Sequence, residues 1–307
     1  MIRRSPQCSL FCLLLATTGA LAATPAELLL RSEEADKHVD YRGIKNVTLV
    51  LGEQTTVATV KVLHLKPNLT RSVYFSPAEL AGTVVIRNGN REWKYRPRED
   101  AWEPTGPCPM PGGETVRRSI LGSYDVRLVG TERVAGREAY VLQAVPKSHG
   151  AHTHRVWVDR EYYLVLGTQI ETDSGAVLRS SRYLSLQINP GDIDRRLFRV
   201  EGKIKPTARP AADPGFRVMK PSYLPKGYRL EATECLSING CSCVHSRFTN
   251  GVNTVSIFQH KATSQTPSAS VDCRVTNSLT WTRGGMRLTI MGDLPRPELQ
   301  KIADSVR

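Results

Sequence analysis

Arg91-Glu92-Trp93-Lys94-Tyr95-Arg96 sets two aromatic rings at alternate positions with charged side chains between them. Successive side chains of a strand leave opposite faces, so this period of two writes one apolar and one solvated face. A helix would need steps of three and four. The same period recurs along the chain. Tyr124, Val126 and Leu128 alternate with Asp125 and Arg127, Leu164, Leu166 and Ile170 share a face, and so do Leu184, Leu186 and Ile188. Asn88-Gly89 and Asp173-Ser174-Gly175 supply tight connections between such runs. Seven or more short strands in succession predict a curved antiparallel sheet.

One helix precedes the strands. Thr24 is a capping residue, Pro25 suits the first helical position and Glu27 completes a capping box. Leu28, Ser32, Ala35 and Val39 follow at helical steps and form one modestly apolar face, with Gly43 expected to end the element. That helix is available to pack on one face of the sheet. Beyond the strands, Pro206, Pro210 and Pro214 punctuate a basic stretch with little to bury, which reads as an extended linker. A smaller α+β unit follows. Val255 and Ile257, Leu279 and Trp281, and Leu288 and Ile290 mark strands, Gly284-Gly285 a hairpin turn, and Pro295 to Ser305 a closing helix that buries Leu299, Ile302 and Val306.

The amino terminus fixes the expected compartment. Arg3 and Arg4, an apolar run from Leu10 to Ala16, and Ala20-Leu21-Ala22 have the layout of a secretory signal peptide. The apolar run is too short for a permanent membrane span. The expected organisation is a signal peptide over 1–23, a first domain over 24–202, a linker over 203–215 and a second domain over 216–307. The mature product is then a periplasmic protein, peripheral to the membrane at most. The full chain carries 42 Lys and Arg against 29 Asp and Glu; loss of Arg3 and Arg4 with the signal leaves a net charge of +11. Such a protein should attract anionic surfaces such as lipid phosphate or an acidic peptide. Export argues against nucleic acid, and the basic residues are scattered rather than set in a basic helix or finger spacing.

Five cysteines lie beyond the signal: Cys108, Cys235, Cys241, Cys243 and Cys273. In an oxidising compartment the last four are disulfide candidates, with the connectivity open. Cys241 and Cys243 are poorly spaced for a mutual bridge, which favours Cys235 or Cys273 as partner to each. A zinc site from Cys235, Cys241, Cys243 and His245 lacks the usual cysteine spacing. His149, His152 and His154 could gather around a transition metal, but no carboxylate or cysteine with ligand spacing adjoins them; a polar hairpin loop is the preferred reading. Nucleophile-elbow, zinc-protease, phosphate-loop and dinucleotide motifs are all missing, and nothing sets a nucleophile against a base. The chain therefore reads as a binding protein with no catalytic residues, no metal and no cofactor.

Several stretches resemble the MucB/RseB family. Val129-Gly130-Thr131-Glu132-Arg133-Val134-Ala135-Gly136-Arg137 is similar to its glycine-bounded A-G-R segment, Arg155-Val156-Trp157-Val158-Asp159 to its W-x-D strand, and Thr172-Asp173-Ser174-Gly175 to the turn after it. Asp40-Tyr41-Arg42-Gly43 looks like the family's start. In the second unit, Tyr223-Leu224-Pro225-Lys226-Gly227-Tyr228, the strand Asn250 to Phe258, and Gly292-Asp293-Leu294-Pro295 resemble family motifs in the right order. The resemblance implies an open half-barrel with helices on its concave side, similar to the lipoprotein carrier LolA, followed by a smaller α+β domain. It further implies a negative regulator that binds the periplasmic region of a single-span anti-sigma factor and senses lipid or lipopolysaccharide. A periplasmic lipid or lipoprotein carrier is the alternative, disfavoured by the second domain. Trp93, Tyr95 and Trp157 are the lipid-binding candidates: the first two from their alternation, the third from its place in the W-x-D strand. Large aromatics are also buried for packing alone, which is the competing role.

Overall fold

Thr24 caps helix α1 (Pro25–Glu34) through the expected reciprocal box: its hydroxyl accepts from the Glu27 amide and the Glu27 carboxylate accepts from the Thr24 amide. Leu28, Ser32, Ala35 and Val39 are all buried. The helix gives way to a 3₁₀ turn over Ala35–Lys37. Gly43 does not end it, but lies inside the first strand. These elements belong to a computed structural model that describes residues 23–51, 54–107, 121–147, 151–172, 174–205, 214–238, 241–250, 253–262, 277–292 and 294–307. The signal segment, Cys108, His149, Asp173 and Cys273 fall outside them.

Eleven strands follow: β1 (Tyr41–Leu51), β2 (Gln54–Leu65), β3 (Leu69–Tyr74), β4 (Val84–Asn88), β5 (Arg91–Arg96), β6 (Ala101–Pro107), β7 (Tyr124–Val134), β8 (Arg137–Pro146), β9 (Thr153–Asp159), β10 (Val165–Glu171) and β11 (Val177–Ile188). They form one sheet in the order β6-β5-β4-β3-β2-β1-β11-β10-β9-β8-β7. The pairing is antiparallel throughout, and among the described residues β6 and β7 do not meet, so the sheet stays open. Leu28 and Leu29 of α1 pack on Leu142 and Val158, while Ala35 and Val39 pack among Tyr41, Val60 and Val62. The helix and its 3₁₀ extension thus cover one face.

The other face has its own cover. After β11 the chain turns back, setting Phe198 on Leu63 and Leu69 and Val200 against Val84, Ile86 and Trp102. It then bonds along β6: the Trp102 amide donates to Lys203 at 2.8 Å and Lys205 to Trp102 at 2.7 Å.

Two irregularities depart from simple alternation. Ile44 pairs with Ser185 but Lys45 with Tyr183, which leaves Leu184 as an extra residue. Such a bulge offsets the alternation by one, so Leu184 is 57% exposed while Leu186 packs on the core. A shift between Leu128 and Gly130 goes with the exposure of Leu128.

Gly43 sits beside the first bulge for a steric reason. A Cβ there would stand 2.4 Å from the Ser185 carbonyl oxygen and 2.9 Å from the Tyr183 ring. Gly43→Ala is therefore expected to destabilise the protein by about 1–3 kcal/mol, the usual cost of overpacking a tight interior. Urea unfolding checks this, and a variant as stable as the parent would show that the two strands can part without cost.

A second sheet contains β12 (Arg229–Ile238), β13 (Cys241–Thr249), β14 (Thr254–Lys261), β15 (Asn277–Arg283) and β16 (Met286–Gly292), ordered β12-β13-β14-β16-β15. Gly284 and Gly285, both with positive φ, make the predicted β15–β16 turn. Helix α2 (Arg296–Ser305) closes this sheet, burying Leu299 and Ile302 on Val255, Ile257, Leu288 and Ile290.

Candidate functional site

The helix-bearing face of the large sheet gathers the groups best suited to hold a ligand. Register sets Lys45 beside Val60 and Tyr183, and Val60 beside Tyr74, all on that face. Arg179 lies opposite Leu49, four residues on from Lys45 and of the same parity. Behind them Tyr41 stacks on His64, with ring centroids 4.7 Å apart. His64 Nε2 is 2.8 Å from the Asp36 carbonyl, and Nδ1 is 3.0 Å from the Thr70 hydroxyl. A carbonyl can only accept, so Nε2 carries the proton and Nδ1 accepts from Thr70. The Tyr41 hydroxyl donates to Asp36. Both the ring stack and the turn below α1 are thereby fixed.

Against this fixed wall stands an unusual cation. The Lys45 ammonium lies 5.6 Å from the centroid of the Tyr183 ring, within cation–π range. Burial pushes its pKa below the ordinary lysine value; Asp36 opposes the shift, and Arg179 and Arg87 reinforce it by repulsion. Burial also raises the Tyr183 hydroxyl, with Asp36 adding to it. Arg87 is held by Glu92 at 2.8 Å. Among the described residues neither Lys45 nor Arg179 has a carboxylate at ion-pair distance. Two cations without an ion-pair partner among the described residues, above tyrosine and valine side chains, form a floor suited to an anionic group carried on an apolar body.

The aromatic candidates do not converge there. Tyr95 pairs with Val84, Val84 with Val73 and Val73 with Lys61, one step out of phase with Val60 and Tyr74. Trp93 and Tyr95 thus leave the sheet on the face opposite Lys45, clustered with Trp102 and Val200 under the returning chain. Trp157 is buried at 4% exposure in the main core; its indole donates to Glu132 at 3.0 Å and Arg182 lies over its ring. The sequence marks neither Lys45 nor Arg179: the opening helix is expected to run to Gly43, and the pairing of β1 with β11 that makes them neighbours is non-local.

The remaining candidates fall in two places. Cys235 pairs with Val244, and Cys243 with Leu236, so the two cysteines occupy opposite faces of the second sheet, and among the described residues neither is in a disulfide. The side chain of Cys241 lies outside the described residues. His152 and His154 stand at the start of β9, where the β13–β14 connection of the second sheet reaches the first: Asn253 donates to the Tyr124 hydroxyl at 2.7 Å.

An open sheet with a helix across one face, followed by a small sheet closed by its own helix, defines a two-sheet binding protein. The profile of the MucB/RseB N-terminal domain matches residues 24–203, well over half of the chain. The protein belongs to the MucB/RseB family, a family of regulatory binding proteins rather than enzymes. It is 26% identical over 198 residues to the sigma factor AlgU regulatory protein MucB of Pseudomonas aeruginosa, and 21% identical over 188 residues to the sigma-E factor regulatory protein RseB of Escherichia coli K12. Each match covers 60% of this chain and spans about 60% of the relative's own length. The fold extends further. In the P. aeruginosa MucA/MucB complex a chain superposes with a TM-score of 0.69 at 17% identity, covering 92% of this chain and 98% of that one. A structure of MucB in complex with MucA(peri) gives 0.67 at 18% identity, over 92% and 98%.

Proposed function

We propose that this chain is a periplasmic negative regulator that holds the periplasmic segment of a single-span anti-sigma factor and gives it up on meeting a phosphate-bearing lipid such as lipopolysaccharide. Family membership supports the first half, together with the likeness of the whole fold to chains crystallised with MucA. The second half is carried by one observation: among the described residues, Lys45 and Arg179 stand beside the Tyr183 and Tyr74 rings with no carboxylate at ion-pair distance. An acidic peptide and a lipid phosphate would compete for the same cations, which gives release a direct route. In this reading residues 1–23 are a cleaved signal, and the units 24–202 and 216–307 are joined by the linker 203–215. Export also brings disulfide chemistry. Because Cys235 and Cys243 face apart, Cys273 is the partner open to either of them. A plain lipid carrier would leave the second sheet without a task.

The test is binding of the purified mature protein to lipopolysaccharide and to the periplasmic segment of a single-span envelope protein, each alone and in competition. Two charge-assisted hydrogen bonds contribute about 1.5–3 kcal/mol each. The pair Lys45→Glu with Arg179→Glu is therefore expected to weaken lipid binding by at least about a hundredfold. Undiminished affinity would remove the lipid site from this face. Failure to bind any single-span envelope protein would leave the carrier reading.

A further inference from the structure

The two sheets meet through a set of largely buried groups outside the Lys45 and Arg179 site. Asn253, 1% exposed, comes from the connection after β13. Its backbone is held there by Asn250 Oδ1, which accepts from the Asn253 amide at 2.8 Å, and by the Thr249 hydroxyl, which donates to the Asn253 carbonyl at 2.9 Å. The Asn253 side chain reaches across to β7, donating to the buried Tyr124 hydroxyl, and is also a hydrogen-bond partner of His154 on β9. The Tyr124 ring stands edge-on to the His154 imidazole at 5.5 Å. His152 is buried two residues away at 4% exposure. His154 Nε2 is buried with no hydrogen-bond partner among the described residues.

We propose that this junction is an acid-sensitive latch: His154 must be neutral for the second sheet to stay docked on β7 and β9, and its protonation releases them. The groups packed around His154 offer nothing to neutralise a proton. Ala144 faces it from β8 and Ile170 from β10, Tyr124 from β7, Asn253 from the second sheet, and His152 from its own strand. His152 carries the same sign if it charges. Glu171, at the end of β10, sits opposite Thr153 and is occupied by Gln169 at 2.6 Å and Arg155 at 3.6 Å. A proton on His154 would therefore enter a dry contact with a neutral amide but no carboxylate to balance it, and separation of the sheets would return it to water.

Burial first, and the His152 charge next, push His154 down to about 4, against the opposing hydrogen bond from Asn253. An undocked histidine takes up its proton near the ordinary pKa of about 6.5. The separated form thus binds the proton over a window in which the docked form does not, so docking is intact above about pH 6.5 and weakens as the pH falls towards about 4. At pH 5 the ratio of docked to separated protein should be about thirtyfold lower than at pH 7.5.

The experiment uses the mature full-length protein. The radius of gyration is followed by small-angle scattering from pH 7.5 to 4.5, with far-UV circular dichroism confirming that both sheets stay folded and NMR reporting the His154 imidazole. Wild type should expand as the pH falls, with unchanged dichroism, while His154→Gln keeps one radius across the range. Asn253→Asp supplies the missing negative charge and should hold the sheets together at pH 5. If His154→Gln is open at every pH, Asn253→Asp decides: acid expansion like that of wild type overturns the latch. An imidazole titrating near 6.5 in the docked protein, or identical profiles for wild type and His154→Gln, overturns it as well.

Discussion

Asp159→Ala is expected to cost about 3 kcal/mol or more of folding stability, within the range of about 3–5 kcal/mol found when one partner of a buried ion pair is removed. The Asp159 side chain is 1% exposed at the end of β9. It takes two bonds from Arg137, at 2.6 and 3.1 Å, and also accepts the amides of Glu161 and Tyr162 at 3.1 and 2.7 Å. One carboxylate thereby ties β8 to β9 and shapes the turn into β10. Its loss strands two amides and a guanidinium. Arg137 keeps Glu161 at 2.8 Å and is partly open to water, which sets the cost near the lower end of the range. Urea unfolding of Asp159→Ala beside Asp159→Asn measures it. A loss below about 1 kcal/mol for the alanine variant would mean that solvent replaces the carboxylate.

The second large effect is expected in the small sheet, where Leu299→Ala should destabilise by about 2–5 kcal/mol, as burial plus an unfilled cavity dictates. Leu299 is fully buried among Ile257, Leu288 and Ile290. Helix α2 has no side-chain cap at Pro295, so packing rather than capping holds it in place. Leu299→Met nearly conserves the volume and should cost under about 1.5 kcal/mol. Thermal unfolding of the pair separates the two cases, and equal melting temperatures would show that α2 contributes little.

What the residues announced locally proved easiest to read. The Thr24–Glu27 box, the Asn88-Gly89 and Gly284-Gly285 turns, the period of two around Trp93 and the closing helix each depend on a few consecutive positions. The large sheet's order was not readable. β1 lies beside β11, joining Tyr41 to Ile188, and a pairing between distant stretches leaves no local trace. The bulge that exposes Leu184 was hidden for the same reason, since it exists only against β1. Alternation showed that Trp93 and Tyr95 share a face, but not that residues 198–204 return to cover it. The site suffered most: Lys45 and Arg179 are separated by 134 positions, and only the folded register makes them neighbours.

The returning chain that bonds along β6 has one more consequence. An open sheet offers two edges at which a foreign strand can add, and such edges seed fibres. At Trp102 the protein's own residues 203–205 already occupy one of them. The other, β7, is bent at Leu128 and Gly130 and carries exposed Arg127, Glu132 and Arg133, features that resist flat strand addition. With one edge occupied at Trp102 and the other kinked and charged, the sheet can remain unclosed, its helix-bearing face accessible, without templating its own polymerisation.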